Sequence, residues 1–273
     1  MVDFNLPKIS IVTPSYNQGA YLEQTIVSVI EQNYPNLEYM ILDGGSTDNS
    51  VKIIEKYKDF LAYWRSCSDG GQASAIAEGF TKATGDILCW LNSDDYLAPD
   101  SLFDVANFFN QNIDKDFLVG EVCIVDAEGI PKKYLCEPGW NLNWQIYIRN
   151  CIPQSSAFWR RSLYEKVSGI NESYKFDMDY DLWCQFLKYT KPFHLNKLLS
   201  FQRNHVLTKT STMQSVMLSE RPRIIAIHFP EIRFPSRSSY MFWHIHRILV
   251  KTFQGSYLIG LVKLYKWRIV NLK

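Results

Sequence analysis

The strongest constraint on this chain is an alternation that runs through residues 8–91. Three short apolar runs rich in β-branched side chains, KISIVT (8–13), LEYMILD (37–43) and DILCWL (86–91), are separated by segments of helical period. In the first separator, Leu22, Ile26, Val29 and Ile30 recur at i, i+4, i+7 and i+8, which predicts a helix over 19–32. STDNSVKIIEKY opens a second helix with Ser46 or Asp48 as N-cap, and QASAIAEGFTKATG is an alanine-rich third, stopped by Gly85. A strand–helix series of this kind is α/β: a mostly parallel central sheet flanked on both faces by helices.

Each of the three strands ends in polar residues, TPSYN, DGGSTD and NSDD. Open α/β sheets bind ligands beyond the carboxyl ends of their strands, so adjacent parallel strands would bring the three clusters to one crevice. The last cluster sets Asp94 and Asp95 side by side after an apolar run. Like charges that close raise each other's pKa. Two readings stay open: a helix N-cap beside a solvated surface Asp, or a pair held by a divalent cation, for which carboxylate oxygens are suitable ligands.

Downstream, FLVGEVCIVDAEG predicts a further strand pair, and RRSLYEKVSG a short helix ended by Gly169. Residues 179–189 predict an amphipathic helix carrying Leu182, Trp183, Phe186 and Leu187. Trp90, Trp159 and Trp183 read as core. The net charge of +1 hides an asymmetry. From Arg221 onward there are ten Lys/Arg against one acidic residue, Glu231. We therefore divide the chain into a domain over 1–220 and a basic, aromatic helical extension over 221–273. Aromatic and basic residues without a long apolar run fit an interfacial helix on a membrane, a helix packed on the domain, or an oligomer contact. The acidic main domain argues against nucleic acid as a partner.

Cys67, Cys89, Cys123, Cys136, Cys151 and Cys184 form no CxxC pair and read as reduced core residues in a reducing compartment. The N-terminus lacks a basic region followed by an apolar run, and no segment reaches the roughly 18 apolar residues of a spanning helix. The expected location is cytoplasmic, with any membrane contact peripheral, at the inner face of the cell membrane.

The stretch IVTPSYNQGAYLEQTIVSVIEQNYPNLEYMILDGGSTDNSVKII, followed by DGGQASAIAEGFTKATGDILCWLNSDDYLAPDSL, resembles the family 2 glycosyltransferases, GT-A fold enzymes that use nucleotide-sugar donors. The likeness is dense over 8–102 and looser over 150–212. It implies a nucleoside-diphosphate sugar as donor, a UDP-sugar in the first instance, a divalent cation (Mn²⁺ or Mg²⁺), and inversion at the anomeric carbon. The acceptor implied is a hydroxyl of a glycan or polyprenyl-linked molecule, of the kind used in surface polysaccharide biosynthesis.

Position by position, the resemblance implies that TPSYN lines the nucleoside, with Thr13 and Pro14 by backbone and Tyr16 beside them. Asp43 would accept from uracil N3–H; a second acidic residue common in the family is Gly44 here. Asp69 and Gln72 would stand near the nucleotide, with Asn92 and Ser93 beside it. Asn92 takes the first position of the metal motif, leaving Asp94 and Asp95, with His205 as a further candidate ligand that also reads as an ordinary structural histidine. FDMDYDLWCQF matches the later acidic motif with Met178 in place of Glu, which makes Asp179 the matching base. Asp177 and Asp181 are its neighbours, and three carboxylates at that spacing raise at least one pKa. Either Asp177 or Asp179 could instead cap the following helix. Gln154 and Ser155 would lie on the acceptor side, and Arg203 or Lys209 would meet the diphosphate. A sugar nucleotidyltransferase would need an N-terminal glycine-rich loop with a basic residue, which TPSYNQG lacks. A nucleotide-sugar-binding relative without catalysis stays open on Asn92, Gly44 and Met178.

Overall fold

The computed structural model describes residues 6–135, 139–206, 208–232 and 237–271, apart from the side chains of 210, 211, 237 and 267–271. The first half follows the predicted alternation: β1 (Ile9–Ser15), α1 (Leu22–Ile30), β2 (Leu37–Asp43), α2 (Ser50–Lys56), β3 (Tyr63–Ser66), α3 (Gln72–Lys82) and β4 (Ile87–Trp90). Strand β1 pairs in parallel with β2 and β4, and β2 with β3. All seven residues of β1 are buried, as a central parallel strand covered on both faces requires. Helix α3 approaches so closely that a Cβ on Gly79 would lie 2.5 Å from Val12 Cγ1.

The second half extends the sheet with mixed pairing. It comprises β5 (Tyr96–Leu97), α4 (Ser101–Gln111), β6 (Phe117–Val125), β7 (Pro131–Leu135), α5 (Leu142–Tyr147), β8 (Ala157–Arg160), α6 (Arg161–Tyr164), α7 (Met178–Phe186) and β9 (Phe193–Arg203). The strand order is β3-β2-β1-β4-β8-β6-β9-β5, with β7 on β6. Strand β8 runs antiparallel to both β4 and β6, while β6 and β9 are parallel. The core between sheet and helices is aromatic. Trp90 and Trp183 stack at 5.7 Å, and Trp159 meets them edge-on at 5.7 and 5.6 Å.

Several sequence expectations are corrected. FLVGEVCIV is one strand, and the strand that follows it in the chain and pairs antiparallel with it is Pro131–Leu135. The helix over 178–186 is not amphipathic: eight of its nine residues are buried, because the sheet covers one side and a later helix, α9 (Gln214–His228), the other. Asn49 takes the N-cap position of α2 without a side-chain cap hydrogen bond, while Asp48 accepts from Ser50 N at 2.9 Å and Ser46 turns to Asp43. Helix α3 ends at Lys82, with Ala83 as its cap, before Gly85. Helix α6 likewise ends well before Gly169. Cys67 is exposed and Cys151 half-buried, so neither is a core residue; Cys136 lies outside the described residues.

The 220/221 boundary also fails. It falls inside α9, whose Ile224 and Ile225 are buried in the main core. Beyond α8 (Lys209–Thr212) and α9, the tail forms α10 (Arg237–Phe253) and α11 (Ser256–Asn271). Helix α10 packs on α5, where Trp144 Nε1 donates to His246 Nδ1 at 3.2 Å. Helix α11 lies along β7, so close that a Cβ on Gly260 would be 3.0 Å from the Tyr134 carbonyl. Lys263 pairs there with the buried carboxylate of Glu121 on β6. Removing the ammonium strands a desolvated charge. Lys263→Met should therefore destabilise the protein by about 2 kcal/mol in denaturant unfolding, less than a fully buried pair because Lys263 is partly solvated. Glu121→Gln in the same chain should restore most of that loss.

Candidate active site

Because β2, β1 and β4 are adjacent and parallel, their carboxyl ends meet at one cleft of about 970 Å³. Pro14, Tyr16, Gly44, Asp69, Gln72 and Asn92–Asp95 all border it. Tyr16 is exposed beside Gly44, where a Cβ would touch the Tyr16 ring at 3.3 Å and Asp69 Oδ1 at 3.4 Å. The glycine thus keeps open a slot between a ring face and a carboxylate. Asp69 is fixed from both sides: Gly71 N donates to Oδ1 at 2.8 Å and Arg65 Nη2 to Oδ2 at 3.1 Å. Gly71 has φ +100°, a backbone that suits glycine, and it opens α3 onto the cleft. Thr13 stands outside the lining, with its hydroxyl 3.1 Å from Tyr39 Oη.

Asp43 does not reach the cleft. It is fully buried and accepts from Gly45 N, Ser46 N, Ser46 Oγ and Ser66 Oγ at 2.5–3.1 Å. A carboxylate so engaged shapes the 44–46 loop and stands outside the cleft lining, where the sequence had placed it against a base.

The two adjacent carboxylates after β4 have separate roles. Asp94 Oδ2 faces His205 Nε2 at 3.1 Å, and the His205 ring leans on Tyr21 at 4.7 Å. Asp95 is 3% exposed; its Oδ1 accepts from Arg203 N at 2.8 Å and its Oδ2 from Asn92 Nδ2 at 3.3 Å. Burial, and then the charge of Asp94, raise its pKa well above the ordinary carboxylate value. Asp95 therefore joins β4 to β9, with each of its oxygens holding a hydrogen bond within the protein. Among the described residues no cluster of three ligands forms. Asp94 and His205 nevertheless present one carboxylate and one imidazole, a mixed donor pair that fits Mn²⁺ better than the oxygen-seeking Mg²⁺ if diphosphate oxygens and water complete the shell.

Asn92 has a reason to be an amide. Its Oδ1 accepts from Gln72 Nε2 at 2.8 Å, while its Nδ2 donates to Gln154 Oε1 at 3.1 Å as well as to Asp95. Gln154 in turn donates to the Trp90 carbonyl at 2.6 Å. A carboxylate at 92 could only accept. This chain separates the cleft from a second chamber of about 370 Å³, and Gln72, Asn92, Arg149 and Lys209 line both.

Asp179 stands in the second chamber. Asn150 Nδ2 donates to its Oδ2 at 2.8 Å and Tyr180 N to its Oδ1 at 2.7 Å. Burial, and then the charge of Asp177, push its carboxyl up to about 6. Asp177 is clamped by Arg221, whose Nε and Nη2 donate to its two oxygens at 3.1 and 2.5 Å. Glu220, the preceding residue of α9, accepts from the backbone N–H groups of Lys175, Phe176 and Asp177 at 2.8–2.9 Å. Lys209, its ammonium disfavoured by burial, donates to the Lys175 carbonyl at 2.8 Å.

Three other expectations are corrected. Arg203 is buried, and its guanidinium is taken up by the carbonyls of Asp94, Asp126 and Ala127 and by Gln24, which leaves no fork for a diphosphate. Ser155 is buried and accepts from Ser200 Oγ at 2.9 Å, behind the chamber wall. Asp181 points away from the chamber to His228 Nε2 at 2.8 Å and Gln185 Nε2 at 2.8 Å. Conversely Arg65, Asn150, Glu220 and Arg221 had no sequence signal. None belongs to a motif, and the charge count had assigned Arg221 to the tail.

The glycosyl transferase family 2 model matches residues 10–163, the span that holds β1, β2, β4 and the acidic strand end. The chain belongs to glycosyl transferase family 2. It is a glycosyltransferase, and its relatives carry that description. An uncharacterised glycosyltransferase of Rickettsia typhi is 26% identical over 215 residues, 76% of this chain and 67% of that protein. The chondroitin synthase of Pasteurella multocida is 29% identical over 71% of this chain but only 20% of its own length. The family fold is shared with S. aureus TarS 1–349 in complex with UDP-GlcNAc, at a TM-score of 0.66, 20% identity and coverage of 85% of this chain and 69% of that one. The mannosyltransferase PcManGT of Pyrobaculum calidifontis, in complex with GDP-Man and Mn²⁺, superposes with a TM-score of 0.57 at 18% identity, over 84% of this chain and 66% of that one. The GT-A fold expected from the sequence is therefore the fold of this family 2 member.

Proposed function

We propose that this family 2 enzyme transfers a sugar, with inversion, from a nucleoside diphosphate to a hydroxyl of a glycan or lipid-linked acceptor. The observation that carries the reading is the pairing of two cavities across the Gln72–Asn92–Gln154 wall, with Asp94 and His205 on one side and a carboxyl raised to about 6 on the other. The nucleoside lies in the slot between Tyr16 and Asp69 over Gly44, at the opening of α3. Its diphosphate lies toward Asp94, with Arg149 and Lys209 the cations that border both cavities. UDP is the first candidate, because TarS, which has the same fold, is found in complex with UDP-GlcNAc.

Asp94 and His205 would hold a divalent cation, which when bound supplies Lewis-acid stabilisation of the charge developing on the leaving diphosphate. The acceptor oxygen attacks the anomeric carbon as the bond to the diphosphate breaks, and Asp179 takes the acceptor proton. The ionised fraction of Asp179 near neutral pH is high, while its raised pKa makes it a better base than an ordinary aspartate. A surface polysaccharide as the product class is supported by likeness to the chondroitin synthase, of which this chain spans 20%.

The test is a panel of UDP- and GDP-sugars with and without Mn²⁺, read by thermal stabilisation and by release of nucleoside diphosphate. We expect one donor to raise the melting temperature only with Mn²⁺ present, and Asp94→Ala to lose that metal dependence. Pyrophosphate as the product would replace this reading with nucleotidyl transfer. Donor binding with no turnover in any acceptor mixture would reduce the protein to a binding module.

A further inference from the structure

The C-terminal helical pair is turned inside out. On α10 the basic residues Arg247 and Lys251 are buried, while Met241, Ile245, Ile248, Leu249 and Phe253 are exposed. Helix α11 continues the pattern, with Leu258, Leu261, Val262 and Tyr265 exposed, while Lys263 turns inward to Glu121. A helix packed on a soluble domain ordinarily does the reverse, burying its apolar stripe and showing its charges to water. Exposed large side chains follow one another along both helices, and contiguous apolar patches of this kind mark interaction surfaces.

We infer that the outer face of α10 and α11 docks on an anionic lipid surface. Three observations select that occupant. First, Lys266 is exposed on α11 beside these apolar side chains, and after Glu231 the chain carries no Asp or Glu, so no carboxylate of the segment opposes anionic headgroups. Second, the helices span 17 and 16 residues, and no helix among the described residues is long and apolar enough to cross a membrane. The pair must therefore lie in the plane of the interface, its apolar side chains reaching the boundary of the acyl region. Third, exposed Tyr240, Tyr257 and Tyr265 suit the headgroup level, where amphipathic rings accumulate.

The docking face also adjoins the site. Helix α11 lies along β7, whose Leu135 borders both cavities, and Trp140, just before α5, borders the second chamber. A membrane on this face would thus run beside the acceptor side of the enzyme. The inference stands on the surface alone and does not depend on the roles assigned to Asp94 or Asp179.

The test uses the full chain and sedimentation with phosphatidylcholine vesicles, with and without phosphatidylglycerol. The wild-type protein should sediment with the phosphatidylglycerol vesicles and bind the neutral ones about tenfold less tightly. The double variant Ile245→Glu/Leu249→Glu should lose about tenfold or more of the binding to anionic vesicles, because two carboxylates would enter the apolar boundary. Both side chains face solvent, so the melting temperature should hold. Equal vesicle binding by variant and wild type would overturn the inference. So would a concentration-dependent dimer, seen by light scattering in wild type and absent from the variant, in a protein that does not sediment with vesicles.

Discussion

Asp179→Asn should lower kcat by about 10²–10⁴-fold while donor affinity changes little. Two features set that size. The carboxylate borders the second chamber and not the nucleotide cleft, so its loss spares the donor's contacts. Its environment is also that of a base, because burial and the nearby charge of Asp177 hold the carboxyl at about 6. The pH profile follows from the sign of that shift. The group accepts a proton only when ionised, so kcat/KM in the wild type should fall about tenfold per pH unit below about 6 and level off above it. The residual activity of Asp179→Asn should lack this acid limb. The measurement is initial rate against pH at saturating donor, with donor-induced thermal stabilisation as the check that binding survives. Loss of donor stabilisation equal to the loss of rate would remove Asp179 from the role of base.

Residues 8–102 disclosed the fold because a parallel βαβ series writes itself in one dimension. Buried runs alternate with helical stripes, and each strand end carries its polar cluster. The same local signal misassigned individual side chains at the site. Asp43 and Arg203 are polar residues in the right motifs, but Asp43 is taken up locally by Gly45 and Ser46 and across the sheet by Ser66, and Arg203 by residues 24, 94, 126 and 127, which no spacing relates to it. Asp94 and Asp95 are adjacent in sequence, yet one faces His205, 111 residues on, and the other the backbone of Arg203, 108 residues on. Strand β9 decides between them. The tail was read as basic because charge counts ignore direction; in three dimensions its buried cations point inward and its apolar side chains outward.

The placement of Arg221 has the second large consequence. Arg221→Met should cost roughly 3 kcal/mol, because it leaves Asp177, 1% exposed, as a buried carboxylate without its two guanidinium hydrogen bonds. At this chain length that corresponds to a melting temperature lower by roughly 6–12 °C. The catalytic readout has a definite direction. Arg221 lowers the pKa of Asp179 and Asp177 raises it. Removing the cation should therefore move the acid limb of kcat/KM to higher pH, whereas Asp177→Asn, which removes the anion, should move it to lower pH. Arg221→Lys keeps the charge but not the two-pronged geometry, so it should hold the limb near its wild-type position while losing part of the stability. Pairing Asp177→Asn with Arg221→Met removes both charges at once, and should recover most of the lost stability, as replacing a buried ion pair commonly does. If Arg221→Met and Asp177→Asn shifted the limb in the same direction, the clamp would be acting by distorting the 175–177 loop. Opposite shifts would make α9, which lies beyond the span of the family model, the element that sets the charge on the base.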